Sequence, residues 1–322
     1  MLALETDNLT KDYAVGFWRS RPYRALDRLS LRVEANEVFG FLGPNGAGKT
    51  TTLKLLTELI YPTSGRISIL GRPPGDSEVR RRVGYLPEAP YFYDYLSAEE
   101  LLTYFAGLFG LRGQARRARV AGLLDKVGIA GERRLPLRKF SKGMLQRVGL
   151  AQALLNEPEV VFLDEPMSGL DPLGRRDVRT LILELRDRGC TVFFSSHILS
   201  DAEALCSRVG IIVGGQLVTS GRLSEILAFQ VTGWELVIAN LDPAALTAFG
   251  DSIRRVTPIS DGRYMIEVSA DIEPERILGH LRAQGSQFIS LNPVRTTLED
   301  YFVQQVTARQ AAPPAGRVMP EG

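Results

Sequence analysis

The spacing of apolar positions changes several times along the chain, and each change predicts a different element. From Leu2 to Leu70 apolar residues alternate with polar ones in short stretches, Leu2–Leu9, Leu29–Glu34, Glu37–Gly43 and Arg66–Gly71, with Asn, Gly and Pro between them. That period of two predicts strands. From Ser97 to Ile129 the spacing becomes three and four, through Leu101, Leu102, Phe105 and Leu108 and then Val120, Leu123, Leu124 and Val127, which predicts helices. Two unbroken apolar runs follow, Val160–Asp164 and Thr191–His197, separated by the helical spacing of Val178, Leu181, Ile182 and Leu185. Strand, helix, strand in that order predicts a parallel sheet with right-handed crossovers.

A boundary falls between Arg222 and Gln230. Beyond it Trp234–Leu241, Arg263–Ser269 and Gln287–Val294 alternate as strands, Ile253–Ser260 does so weakly, and Pro243–Gly250 and Pro274–Gly285 are spaced as helices. The order β-α-β-β-α-β over 230–306 predicts a small accessory α+β domain of ferredoxin-like type. Residues 307–322, rich in Ala, Pro and Gly, are expected to form a disordered tail.

Composition narrows the function. Lys and Arg number 39 against 37 Asp and Glu, so the net charge is 39 − 37 = +2. This balance lacks the basic excess of a dedicated nucleic-acid binder, and no nucleic-acid partner is expected. Two cysteines, Cys190 and Cys206, make neither a disulfide framework nor a zinc site and point to a reducing compartment. The N-terminus has no leader pattern, and no run approaches the ~18 apolar residues of a spanning helix. The chain is therefore expected neither to be exported nor to cross a membrane.

The chemistry begins at Gly43-Pro44-Asn45-Gly46-Ala47-Gly48-Lys49-Thr50, which follows the predicted strand at Glu37–Gly43 and precedes an apolar helical run. This is the P-loop pattern in its structural context. Its glycines let backbone N–H groups curl around phosphate oxygens, Lys49 reaches the β and γ phosphates, and the Thr50 hydroxyl suits Mg²⁺. The run Val160–Asp164 delivers Asp164 and then Glu165 to the C-terminal edge of the sheet, where open α/β sheets place ligands. Alone, an acidic pair after a strand reads more readily as a helix cap or turn. Beside a P-loop, Asp164 suits the Mg²⁺ shell and Glu165 the base that orients an attacking water.

With these residues the sequence resembles the nucleotide-binding subunit of ATP-binding cassette (ABC) transporters, from residue 2 to about 220. Phe140, then Ser141, Lys142, Gly143 and Met144, followed by Gln146 and Arg147, resemble the family's signature. Ser168, Gly169, Leu170 and Asp171 match its D-loop, His197 its switch histidine, and Tyr13 the aromatic that stacks on adenine. Read without the family, Ser141 is an N-cap, His197 a histidine at a strand end and Tyr13 an ordinary strand residue. The sequence departs from the family pattern at Glu88, where glutamine is usual, and at Lys142 and Met144, where glycine and glutamine are commoner. A carboxylate at 88 remains able to coordinate Mg²⁺.

The resemblance implies an α/β P-loop NTPase fold over 1–222: a parallel core sheet, an antiparallel β subdomain and a helical subdomain at about 89–158. It implies ATP and Mg²⁺ as cofactors, with ATP held by Tyr13, the P-loop and Thr51, and Mg²⁺ held by Thr50, Glu88 and Asp164. Glu165 and His197 are the catalytic residues of this reading. Because the family's signature faces the γ-phosphate on a second subunit's P-loop, two copies, or this chain and a paired ATPase subunit, meet head to tail. The output passes to a separate integral-membrane permease, so the expected location is cytoplasmic, on the inner face of the cell membrane. In the family the aromatic segment Ala89–Leu96 receives that permease, while the basic aromatic stretch Phe17–Arg24 reads as a hairpin tip or a contact near nucleotide or membrane. The segments Gly84–Glu88 and Ser141–Met144 and the C-terminal domain ending at Thr297–Phe302 are most similar to bacterial exporter ATPases. An importer ATPase is the alternative within the class, and a soluble ABC ATPase outside transport is the alternative beyond it.

Overall fold

The alternating N-terminal residues form a hairpin of β1 (Leu2–Val15) and β2 (Arg21–Glu34). The computed structural model describes residues 1–15, 21–227, 231–260, 262–295 and 297–311. Of the stretch Phe17–Arg24, residues 17–20 therefore lie outside the described residues. The fully buried β3 (Val38–Leu42) leads through the Gly43–Gly48 loop into α1 (Lys49–Leu56), and β4 (Ser64–Ile69) returns to pair antiparallel with β1. Leu4, Leu9, Leu26, Leu29, Leu31 and Val33 turn into the core from this three-stranded sheet.

Asp76 accepts the Glu78 N–H and so caps α2 (Ser77–Arg82), which runs directly into β5 (Val83–Leu86). The helical spacing after Ser97 becomes α3 (Ala98–Leu108), opened by a capping box of Ser97 and Glu100, then α4 (Gly113–Lys126) and α5 (Lys142–Ala153). The two apolar runs become β6 (Val160–Asp164) and β7 (Thr191–Ser196), with α6 (Pro172–Asp187) between them. After α7 (Leu199–Leu205) come β8 (Arg208–Val213) and β9 (Gln216–Arg222).

These strands make a six-stranded sheet in the order β5-β6-β7-β3-β8-β9, parallel except for β9 at its edge. Phe39, Phe41 and Phe162 pack around Phe193 with ring centroids 5.5, 5.4 and 5.8 Å away. The parallel register sets Leu42 beside Ser196 and Asp164 beside Ser195. The loops that follow β3, β6 and β7 consequently open at one edge of the sheet. Cys190 and Cys206 are free, buried thiols, and burial pushes Cys190 up to about 12.

The chain divides into two compact units, Met1–Leu223 and Ser224–Gly322, and a short helix α8 (Leu223–Ile226) falls at the division. The second unit contains β10 (Val231–Ala239), β11 (Ile253–Ser260), β12 (Arg263–Ser269), α9 (Pro274–Ala283), β13 (Gln287–Arg295) and α10 (Leu298–Ala311). Its sheet, β11-β12-β10-β13, is antiparallel throughout and interleaves two strand-crossover-strand units. Where helical spacing predicts an α-helix at Pro243–Gly250, the first crossover is a 3₁₀ run, Pro243–Ser252, kinked at Gly250 (φ 45). Leu236, Ile238, Ile266, Val268, Ile277 and Leu281 form a core of its own.

The expected start of a disordered tail at 307 is corrected for residues 307–311, which continue α10. Thr297 and Asp300 cap that helix reciprocally. Ala308, Arg309, Gln310 and Ala311 are good helix formers, and the first proline is Pro313. Residues 312–322 lie outside the described residues. No helix among the described residues is long and apolar enough to cross a membrane.

Candidate active site

The loop after β3 is shaped by what crowds it. A Cβ on Gly43 would stand 2.4 Å from the Ile212 carbonyl oxygen, and one on Gly48 2.8 Å from that of Ala25. Gly46 and Gly48 also adopt positive φ, 77 and 108, which glycine takes without a steric penalty. The loop then enters α1, whose first backbone N–H groups have no partners within the helix and make an anion cradle. The ammonium of Lys49, almost fully buried, donates to the carbonyls of Gly43 at 2.7 Å and Pro44 at 3.2 Å, and lies 3.4 Å from Glu165 Oε1.

Asp164 ends β6 with no exposed surface. Its Oδ1 accepts the Ser195 hydroxyl at 2.6 Å, while Oδ2 has no hydrogen-bond partner among the described residues. Burial raises its pKa above the ordinary carboxylate range, hydrogen bonding to the hydroxyls of Ser195 and Thr50 opposes this, and the charges of Glu88 and Glu165 add to the rise. Burial, with Asp164 and Glu88 nearby, also pushes the Tyr85 phenol up.

The next residue, Glu165, has a left-handed backbone, φ 49, and is also buried. Its N–H donates to Ser195 Oγ at 3.0 Å, and its Oε2 lies 2.9 Å from His197 Nδ1. Lys49, Glu165 and His197 thus form a connected polar line, with one carboxylate oxygen toward the ammonium and the other toward the imidazole. Such a carboxylate is placed to accept a proton from a water molecule while the histidine fixes its orientation.

A divalent cation fits the same edge. The unpaired, buried Oδ2 of Asp164 is an oxygen ligand lacking a partner, and Thr50, in the first turn of α1, lies close enough to influence the same carboxylate. Glu88, exposed two residues beyond β5, acts on it electrostatically. Among the described residues no cluster of three or more His, Cys, Asp or Glu side chains could hold a metal alone. The cation would need further oxygen ligands, as Mg²⁺ takes from phosphates and water.

The signature residues lie together with the D-loop. Ser141 caps α5, accepting the Met144 N–H at 3.2 Å. A Cβ on Gly143 would stand 3.2 Å from Leu170 Cδ2, and one on Gly169 2.9 Å from the Lys142 stem. Ser168 donates its N–H to the Glu165 carbonyl at 3.0 Å, and Asp171 caps α6 through Gly174. No hydrogen bond or ion pair among the described residues joins Ser141–Met144 to the loop at 43–51. Tyr13, half-buried, pairs with Tyr23 across the hairpin, and the Lys11 ammonium lies 5.2 Å from its ring centroid. It makes no hydrogen bond to the P-loop among the described residues, though Ala25, two residues beyond Tyr23, abuts Gly48.

Two residues of the site, Ser195 and Gly215, escape motif reading, and the contacts of a third, Gln146 of the signature segment, are visible only in the structure. Ser195 bridges Asp164 and the Glu165 backbone, and the paired serines ending an apolar strand were its only signal. Gln146, buried in α5, donates to the carbonyls of Glu165 at 3.3 Å and Pro166 at 3.4 Å. Gly215, in the β8–β9 turn, donates its N–H to Ala47 at 3.0 Å and props the P-loop from behind. A Gly-Gly turn between apolar runs could have marked that hairpin.

This geometry has known counterparts. The family described as ABC transporter matches residues 26–168. The Synechocystis protein sll0415, described as an uncharacterized ABC transporter ATP-binding protein, is 46% identical over 308 residues, 95% of this chain and 85% of its own. Nod factor export ATP-binding protein I of Burkholderia orbicola is 35% identical over 284 residues, 88% of this chain and 91% of that protein. The solved dimer of MJ0796, a bacterial ABC transporter cassette, is similar with a TM-score of 0.63 and 25% identity, over 68% of this chain and 98% of that one.

Proposed function

Since this chain belongs to the ATP-binding proteins of ABC transporters and is an ATP hydrolase of that type, we propose that two copies meet head to tail around two ATP molecules and drive a separate membrane permease as an exporter. The observation that carries the reading is Glu165 held between Lys49 and His197, beside the half-paired, buried Asp164.

In each site the P-loop amides and Lys49 hold the phosphate oxygens, and Tyr13 stacks on the adenine. Thr50, Glu88 and Asp164 would hold Mg²⁺. When bound, that ion neutralises charge on the β and γ phosphates. Glu165 accepts a proton from the attacking water as its oxygen bonds to the γ-phosphorus and the bond to the ADP oxygen breaks. His197 keeps the Glu165 carboxylate oriented. Ser141 and the N-terminus of α5 face the γ-phosphate on the partner's P-loop, where unpaired helix N–H groups favour an anion.

Dimerisation is supported by the dimeric form of the MJ0796 cassette. The permease contact is supported by Tyr91, Tyr93 and Tyr95, all exposed, beside a groove of about 370 Å³ lined by Tyr85, Pro90, Phe92, Phe105 and Phe109. Exposed aromatics mark interfaces. A permease contact puts the chain on the cytoplasmic face of the membrane. Export is favoured by the exporter-like motifs and by the word export in the name of the Burkholderia relative.

Glu165→Gln tests the hydrolytic assignment. ATP binding persists, hydrolysis falls by something on the order of 10²- to 10⁴-fold, and light scattering in ATP detects an accumulated dimer. Wild-type turnover in a monomeric variant removes the assignment.

A further inference from the structure

Glu165 is held in a backbone conformation that residues with a Cβ disfavour, φ 49. Both of its backbone polar groups are gripped. The N–H donates to Ser195 on the neighbouring strand, and the carbonyl accepts the Ser168 N–H at 3.0 Å and the Gln146 amide at 3.3 Å. Gln146 is 1% exposed, and both its partners are carbonyl oxygens, so its nitrogen is the atom that faces them. It lies in the second turn of α5, the helix whose first turn carries the signature. Its neighbour Arg147 fixes the helix elsewhere, to the Val127 carbonyl and Asp177.

We infer that Gln146 is a positioning residue for the hydrolytic carboxylate, tying the signature helix of each chain to the Glu165 of that same chain. The inference rests on the two-copy reading above and deepens it. Ser141 then meets the phosphate bound by one copy while Gln146, on the same helix, fixes the base that acts on the phosphate bound by the other. Closure of α5 on one nucleotide sets the base at the second site, and the two sites are coupled through one buried amide.

The test measures steady-state hydrolysis and ATP affinity on the full chain. Gln146→Met, which keeps the length and loses the donor, lowers kcat on the order of 10²-fold through misplacement of the base. KM and ATP affinity stay at wild-type values, because the lost interaction matters only on the way to the transition state. If Gln146→Met does not fold, Gln146→Glu, whose carboxylate repels both carbonyls, takes its place. The deciding readout is a double-mutant cycle. In a Glu165→Gln background the Gln146 substitution lowers kcat no further, since it acts through a base already removed. Wild-type kcat in the Gln146 variants, a change in affinity instead of kcat, or losses that multiply in the double variant overturns the inference. Wild-type turnover in Glu165→Gln removes instead the base assignment it rests on. Loss of hydrolysis in Glu165→Gln beside wild-type kcat in Gln146→Met removes the Gln146 inference and leaves the base assignment standing.

Discussion

Asp164 is buried with one oxygen unpaired, an arrangement that destabilises a fold unless a ligand completes it. Asp164→Asn removes a charge repelled by Glu88 and Glu165, so without nucleotide the variant melts above wild type; with Mg-ATP wild type gains stability and the variant gains little. Thermal melts with and without Mg-ATP check both halves, and equal gains in the two proteins remove Asp164 from the metal shell. Glu37 answers to pH. Burial raises its pKa, opposed by the Glu34 N–H and by Arg208 3.4 Å away, with Glu34's charge adding to the rise. A carboxyl raised on folding contributes stability that is full below its unfolded value, about 4, and lost as pH rises through its folded value. Glu37→Gln, which still accepts the Glu34 N–H, flattens that loss in denaturation curves taken across mildly acidic pH. At this scale the P-loop, Asp164, Glu165 and the signature could be read as motifs because their chemistry needs fixed spacing. Ser195 could not, and Gln146 could be read only as part of the signature, because both act through contacts between residues far apart in sequence.

Among the elements, α5 carries two roles on one residue, and a single substitution separates them. Ser141 caps the helix, and aspartate caps as well as serine while complementing the helix dipole. Ser141→Asp therefore leaves the melting temperature at or above wild type. Opposite the partner's γ-phosphate its charge repels, so ATP-driven dimerisation and hydrolysis fall by at least about tenfold, equivalent to ~1.4 kcal/mol. A destabilised variant with full hydrolysis reduces Ser141 to a cap. Elements with strong local signals matched their sequence pattern: α3 has its capping box, and β6 and β7 are unbroken apolar runs. Strands β8 and β9 also have a local signal, the apolar run Val209–Val213 before the Gly214-Gly215 turn, and what periodicity does not record is the partner: β8 pairs parallel with β3, Phe39 with Arg208 through Leu42 with Ile211. The 3₁₀ run at Pro243–Ser252 shows the converse limit, since apolar spacing does not separate it from an α-helix over so few residues.

At the scale of the molecule, every residue assigned to nucleotide chemistry lies in Met1–Leu223, and the second unit has its own cluster of buried residues. A chain ending at residue 227 is accordingly expected to fold cooperatively and to bind ATP with wild-type affinity, read by calorimetry and by nucleotide titration. Loss of the melting transition or of ATP binding would mean that the units do not stand apart. The division has a consequence in descent as well. The buried cluster of the first unit draws on residues 3 to 217 and that of the second on 234 to 291, so a recombination joint near residue 224 interrupts neither. The C-terminal unit can be inherited, exchanged or lost as a block while the ATPase passes unchanged between lineages.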